Sequence, residues 1–173
     1  MAGRINKVPN FLAMAETLKK DAVRYAAVEG VSFFMDSFQN QGFTDEALEP
    51  WAQRKNDLDP GRKILIKTGD LMNSIQVFDK NERRIVFGSD AEYAGIHNDG
   101  GTVKIPITQK SRKYFWVMYK VTGNGMWKAM ALTKKTAITI VIPKRQFIGE
   151  SATFMSQLDT WIKNEILKRF KQL

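Results

Sequence analysis

Thr68-Gly-Asp-Leu-Met-Asn-Ser-Ile75, followed by Gly88-Ser-Asp-Ala-Glu-Tyr-Ala-Gly-Ile-His-Asn-Asp-Gly-Gly101, is the part of the chain that decides its fold. The first segment reads as a short capped turn of helix feeding a strand near Ser74 to Phe78. The polar turn Asp79-Lys-Asn-Glu82 then leads to a second strand, Arg83 to Phe87, and the two make an antiparallel hairpin. In the second segment, Ala91 to His97 reads as a short helix with Tyr93, Ala94 and Ile96 on its apolar side, and Asp99-Gly-Gly101 breaks the chain sharply.

Downstream, Val103 to Ile107 and Ala137 to Ile142 are β-branched strands, the second alternating less clearly and so expected to be buried on both faces. Gln109 to Lys135 between them interleaves basic and aromatic residues around one turn, Gly123-Asn-Gly125, and reads as a two-armed excursion. After Ile142-Pro-Lys-Arg-Gln-Phe-Ile-Gly149 comes a closing amphipathic helix, Ser151 to about Lys171, with Phe154, Leu158, Trp161, Ile162, Ile166 and Phe170 on one side.

Upstream, apolar residues from Phe11 to Phe38 recur in steps of three or four, which predicts a helix about 40 Å long. Gly30 is expected to bend or divide it, and Gly42 to end it in a left-handed conformation. Residues 43 to 67, with turn signals at Glu49-Pro50 and Asp59-Pro60-Gly61, read as an irregular arm. The class is therefore α+β: a small, mainly antiparallel sheet flanked by a long N-terminal and a C-terminal amphipathic helix, with an arm at about 43–67 and a basic insertion at about 108–135.

A length of 173 residues with 43% hydrophobic residues suits one domain, 1–173. Cysteine is absent, so disulfides, thiolate metal sites and thiol nucleophiles are excluded. Residues 1–10 lack the apolar run of a signal peptide, and no stretch approaches the roughly 20 apolar residues that span a bilayer, so no membrane is expected as a partner. A formal charge of +9 and a pI near 9.8 favour nucleic acid, an anionic membrane or an acidic protein surface, without choosing among them.

Catalytic constellations are weak. His97 is the only histidine, and scattered Asp90, Glu92 and Asp99 do not give the converging ligand spacing of a metal site. Gly61-Arg-Lys lacks the P-loop string, and Asp99-Gly-Gly101 lacks the spaced oxygens of an EF-hand. The reading is a non-enzyme with no catalytic, metal or cofactor residues. The basic aromatic stretch is the best case for nucleic-acid binding, lysines tracking phosphates and aromatics stacking on bases. A subunit contact is favoured over it, because aromatics and arginine are enriched at protein interfaces.

The order and spacing of Trp51, Gly61, Arg62, Ile64, Thr68, Gly69, Leu71, Ser74, Ile75, Gly88, Tyr93, Ala94, His97, Gly100, Gly101, Pro143, Arg145, Phe147 and Gly149 resemble the phage virion morphogenesis family, which includes tail completion proteins of Mu-type phages. Two departures stand out: Gln146, where many relatives carry proline, and the long basic insertion. The resemblance implies a tail completion or head-tail joining subunit. It would act as a ring of copies, hexameric by the resemblance, against tail tube and head-tail connector proteins. Its place would be the virion and, during assembly, the host bacterial cytoplasm. The residues expected at subunit or partner boundaries are Trp51, Arg62, His97 and Arg145, with Lys110, Arg112, Lys113, Trp116 and Trp127 of the insertion. A nucleic-acid-binding module using that insertion, with non-specific DNA contact, is the alternative.

Overall fold

The computed structural model describes residues 10–54 and 59–171. The start of the chain, where no apolar leader is read, and part of the expected arm at 55–58 lie outside the described residues. Helix α1, Phe11–Asn40, is capped by Asn10, whose side chain accepts from the Ala13 amide at 3.1 Å. It runs through Gly30 as one helix, which the glycine does not divide. A Cβ at this position would collide with the Phe87 ring, so the glycine serves close packing of a neighbouring aromatic on the helix.

The helix ends at Gln41, not Gly42: Gln41 takes the left-handed conformation at φ 56°. Its side-chain amide donates to the Phe38 carbonyl at 2.6 Å and accepts from the Ile64 amide at 2.5 Å, which holds this backbone in place. Gly42 instead starts β1, Gly42–Thr44, paired antiparallel with β2, Leu48–Pro50; a Cβ on Gly42 would sit 2.5 Å from the Glu49 carbonyl oxygen. The expected arm thus begins as a small hairpin.

Next come the single turn α2, Asp70–Asn73, and an antiparallel pair, β3, Ile75–Lys80, with β4, Ile85–Ser89, carrying a bulge between Val77 and Asp79. Helix α3, Ala94–Asp99, leads into β5, Gly101–Pro106, whose partner is β6, Ala137–Ile142. Between those strands stand α4, Gln109–Thr122, and α5, Gly125–Leu132, the two arms read from the sequence. The chain closes with α6, Ala152–Lys171. The α+β class and antiparallel pairing are as read, but the strands form three two-stranded ribbons instead of one sheet. Strand β6 is not buried on both faces, for Ile140 and Val141 are exposed.

The core is aromatic. Phe38 is fully buried between Trp51, at 5.4 Å between ring centroids, and Phe147, at 5.1 Å. Phe34, Phe43, Ile64, Leu71, Ile75 and Ala94 complete the cluster, so helix, loop and strand residues all converge on the end of α1. Helix α6 runs antiparallel to α1, its apolar stripe matched ring to ring: Phe154 on Phe33 at 5.2 Å, Trp161 stacked on Tyr25 at 4.3 Å, and Phe170 on Phe11 at 6.0 Å. Arg169, reaching Asp21 at 2.6 Å and Glu165 at 3.2 Å, fastens the far end.

Two substitutions separate these contributions. Gly30→Ala improves helix propensity by roughly 1 kcal/mol, yet here it is expected to lower stability by about 1–3 kcal/mol through overpacking on Phe87, and Gly30→Ala with Phe87→Leu recovers part of the loss. Phe38→Ala should cost about 3–5 kcal/mol. Urea unfolding monitored by tryptophan fluorescence reads both.

Candidate functional site

Residues of the second and third motif segments meet Trp51 and Ala52 at the base of the β5–β6 ribbon, while Leu71 and Ile75 of the first segment lie in the aromatic core. Pro143 ends β6, and the next residues turn back under α3. There the Arg145 amide donates to the His97 carbonyl at 2.9 Å. The Asn98 side-chain oxygen accepts from the amides of Phe147, at 2.9 Å, and Ile148, at 3.0 Å. Trp51 donates its indole N–H to the Gln146 carbonyl at 2.7 Å, and the buried Arg145 guanidinium donates from Nε and Nη2 to the Ala52 carbonyl at 3.1 and 2.9 Å. Gly100, at φ 73°, lets this return pass: a Cβ would lie 2.6 Å from the Lys144 amide nitrogen. Six hydrogen bonds therefore clamp the ribbon's base to the aromatic core.

Burial, and after it the Arg54 charge, lowers the Arg145 pKa. His97 lies at the same junction, half-buried, with Tyr93 edge-on at 6.0 Å between centroids. Its Nδ1 is enclosed with no hydrogen-bond partner among the described residues. Burial first, then the Arg145 charge, holds its pKa below the ordinary 6.5. Among the described residues, no three His, Asp or Glu side chains gather where a metal could be held. Arg62 is ion-paired with Asp59 at 2.6 Å. Of the four expected boundary residues outside the insertion, Trp51 and Arg145 thus have their polar groups engaged within the chain, Arg62 is paired, and His97 faces inward at Nδ1.

The insertion has its own small core. The Thr108–Ser111 capping box starts α4, and left-handed Gly123 ends it. Asn124 caps α5, accepting from the Met126 amide at 2.9 Å. Phe115 stacks on Trp127 at 6.0 Å, with Tyr114 edge-on to the same indole. Arg112 donates to the Ala131 and Thr133 carbonyls at 2.9 and 2.6 Å, closing the open end of the helical pair. Trp127 and Arg112 are consequently internal struts of the insertion. Lys110, Lys113 and Trp116 face solvent, Trp116 beside Tyr119, over which Lys128 sits at 5.7 Å.

Sequence reasoning missed Asn98 and Gln41, polar side chains that replace missing backbone partners. Asn98 stands directly after His97 and before the Asp99-Gly-Gly101 break, a place where a side-chain oxygen commonly bonds to backbone, and that was the available signal. Asn98→Ala strips two amides of their acceptor and should cost about 2–4 kcal/mol, whereas Asn98→Asp, which still accepts, should cost much less. Urea titration of the pair checks this. For His97 the unfolded chain binds the proton more tightly than the folded one. Its share of stability is full above pH 6.5 and is lost as pH falls through the interval beneath that value. His97→Gln should flatten the fall in unfolding midpoint between pH 7 and pH 5, both flanking about 6.5.

Comparison with curated proteins returns no match, and neither does comparison with solved structures. A family model described as the phage virion morphogenesis family matches residues 34–166. The matched span contains the aromatic core, the clamp with its Trp51, His97 and Arg145, the whole ribbon and insertion, and most of α6. With more than half of the residues inside one family pattern, the chain belongs to the phage virion morphogenesis family.

Proposed function

We propose that this protein is a non-enzymatic virion assembly subunit that completes the tail or joins it to the head, acting as one domain repeated in a ring at the tail end. The observation that carries this reading is the family match across residues 34–166, which takes in the core and the arm-bearing junction together. The arrangement supports it: the motif residues brace a projecting element and converge on no open catalytic cleft. A ring of copies, hexameric by family resemblance, would meet the tail tube on one side and the connector on the other. No helix among the described residues is long and apolar enough to cross a membrane. The virion, and the host cytoplasm during assembly, are the proposed locations.

Deleting the gene from the parent phage or prophage should leave heads and tails that fail to join stably, as seen by electron microscopy of induced lysates; normal particles would overturn the reading. Exposed Lys110, Lys113 and Lys120 on α4 favour a second reading, a nucleic-acid-binding module. In that case duplex DNA should bind at about 50 mM salt and be released steeply as salt rises. Fluorescence anisotropy that detects no binding at the lower salt removes it.

A further inference from the structure

The charges of this chain are segregated along the fold. From Gly100 to Arg145 stand ten of the 27 Lys and Arg residues and none of the 18 Asp and Glu residues. The opposite holds for residues 25–53 and 146–162, which carry seven Asp and Glu and no Lys, Arg or His. These two acid-only stretches adjoin one another and form the acidic side of the molecule, which Lys63 enters only at the end of α1, donating to the Gln39 side chain at 2.8 Å. They comprise the second half of α1, the β1–β2 hairpin and the first half of α6. Asp45 at the hairpin turn accepts from the Ala152 amide at 2.8 Å, Ser151 donates to the Thr44 carbonyl at 2.8 Å, and Phe33 packs on Phe154 at 5.2 Å.

Neither charge set is neutralised internally. Glu29, Asp36, Glu46, Glu49, Glu150 and Asp159 are exposed, and none is in an ion pair among the described residues. The same is true of the arm lysines. Ribbon β5–β6 and helices α4 and α5 pack chiefly within themselves and lack extensive contact with α1 or α6. Each surface also bears apolar side chains. On α4, Lys110, Lys113, Tyr114, Val117, Lys120 and Val121 follow one another at helical spacing on a single exposed face. On the acidic side Val28, Leu48 and Met155 are exposed.

We infer that the basic arm of one copy docks on the acidic side of a second copy, the α4 face lying against the α1 and β1–β2 surface. This rests on the assembly reading above and names the contact through which copies would associate. Opposite charges steer the encounter and set its register, while Val117 and Val121 against Val28 and Leu48 supply the apolar centre. When the arm of each copy engages a different neighbour the contact is head-to-tail and repetition generates a closed ring or a filament, whereas reciprocal exchange of arms between two copies would close a two-fold dimer; the ring of the assembly reading requires the first arrangement. Duplex DNA could engage the arm, but it would leave the acidic side without a partner and would be repelled by it.

The test uses the full-length protein in sedimentation velocity over a wide concentration range at about 50 and about 500 mM salt. The wild type should form species larger than a monomer at low salt, with an apparent Kd weakened at least about tenfold at high salt. Lys113→Glu/Lys120→Glu and Glu29→Lys/Asp36→Lys should each be monomeric alone, and their equimolar mixture should recover large species, since reversed arms fit reversed faces. All four positions are exposed, and circular dichroism verifies folding; Lys110→Glu/Lys120→Glu replaces the arm variant if that variant unfolds. A monomeric wild type at low salt, self-association of either variant at wild-type strength, or a monomeric mixture overturns the contact. So does binding of a random-sequence duplex by protein that stays monomeric. If the deletion phage fails to assemble while the purified chain is monomeric, only this contact falls and the assembly reading stands.

Discussion

Everything in the fold depends on the last turn of α1 being enclosed by aromatics. Phe38 is fully buried between Trp51 and Phe147, residues from a loop early in the chain and from the return after β6. Two planar side chains packed against a third, one edge-on and one tilted, give dense packing and fix orientation as well as distance. The polar contacts follow from that placement. With Trp51 seated, its indole N–H meets the Gln146 carbonyl, and the Ala52 carbonyl lies in reach of Arg145. Burying an arginine is costly unless its donors are satisfied, so this bidentate hold belongs beside a rigid wall.

The pairing of α1 with α6 is a second, more linear interaction. It matches rings at both ends and the middle of the two helices, yet much of its length remains solvated, and Tyr25, Trp161 and Phe170 are each only partly covered. Stability is thus unevenly distributed: dense where α1 ends, thin where α1 begins. The family match begins at residue 34, near the start of the dense region, and the first three-quarters of α1 fall outside it.

Much of this was legible in the sequence because it is written in local periodicity. The three-or-four spacing from Phe11 to Phe38 and from Phe154 to Phe170 defined both long helices, and the Asp79-Lys-Asn-Glu82 turn located the β3–β4 hairpin. The two-armed insertion was read from a single Gly-Asn-Gly turn. What failed depended on distant neighbours. Gly30 carries no local mark showing that Phe87 rests on it, and Gln41 displaced Gly42 from the left-handed cap only because Ile64 offers its side chain partners. An apolar β-branched run such as Ala137 to Ile142 has the same pattern buried or exposed, so its solvent-facing state was invisible. The candidate boundary residues divided for the same reason. Residue type nominated Trp51, Arg112, Trp127 and Arg145 alongside Lys110 and Lys113, and only tertiary contacts distinguish a strut from a free side chain.

The β5–β6 ribbon has an architectural consequence. Pro106 and Ala137 face each other across its tip, so the chain leaves and re-enters the rest of the fold through two points about 5 Å apart. Any segment whose own ends lie that close can be grafted there, lengthened or deleted without moving the residues below, because the clamp at Asn98 and Arg145 holds the stem independently of what it carries. The fold thus offers a mounting socket, a stem held firmly at its base and open at its tip.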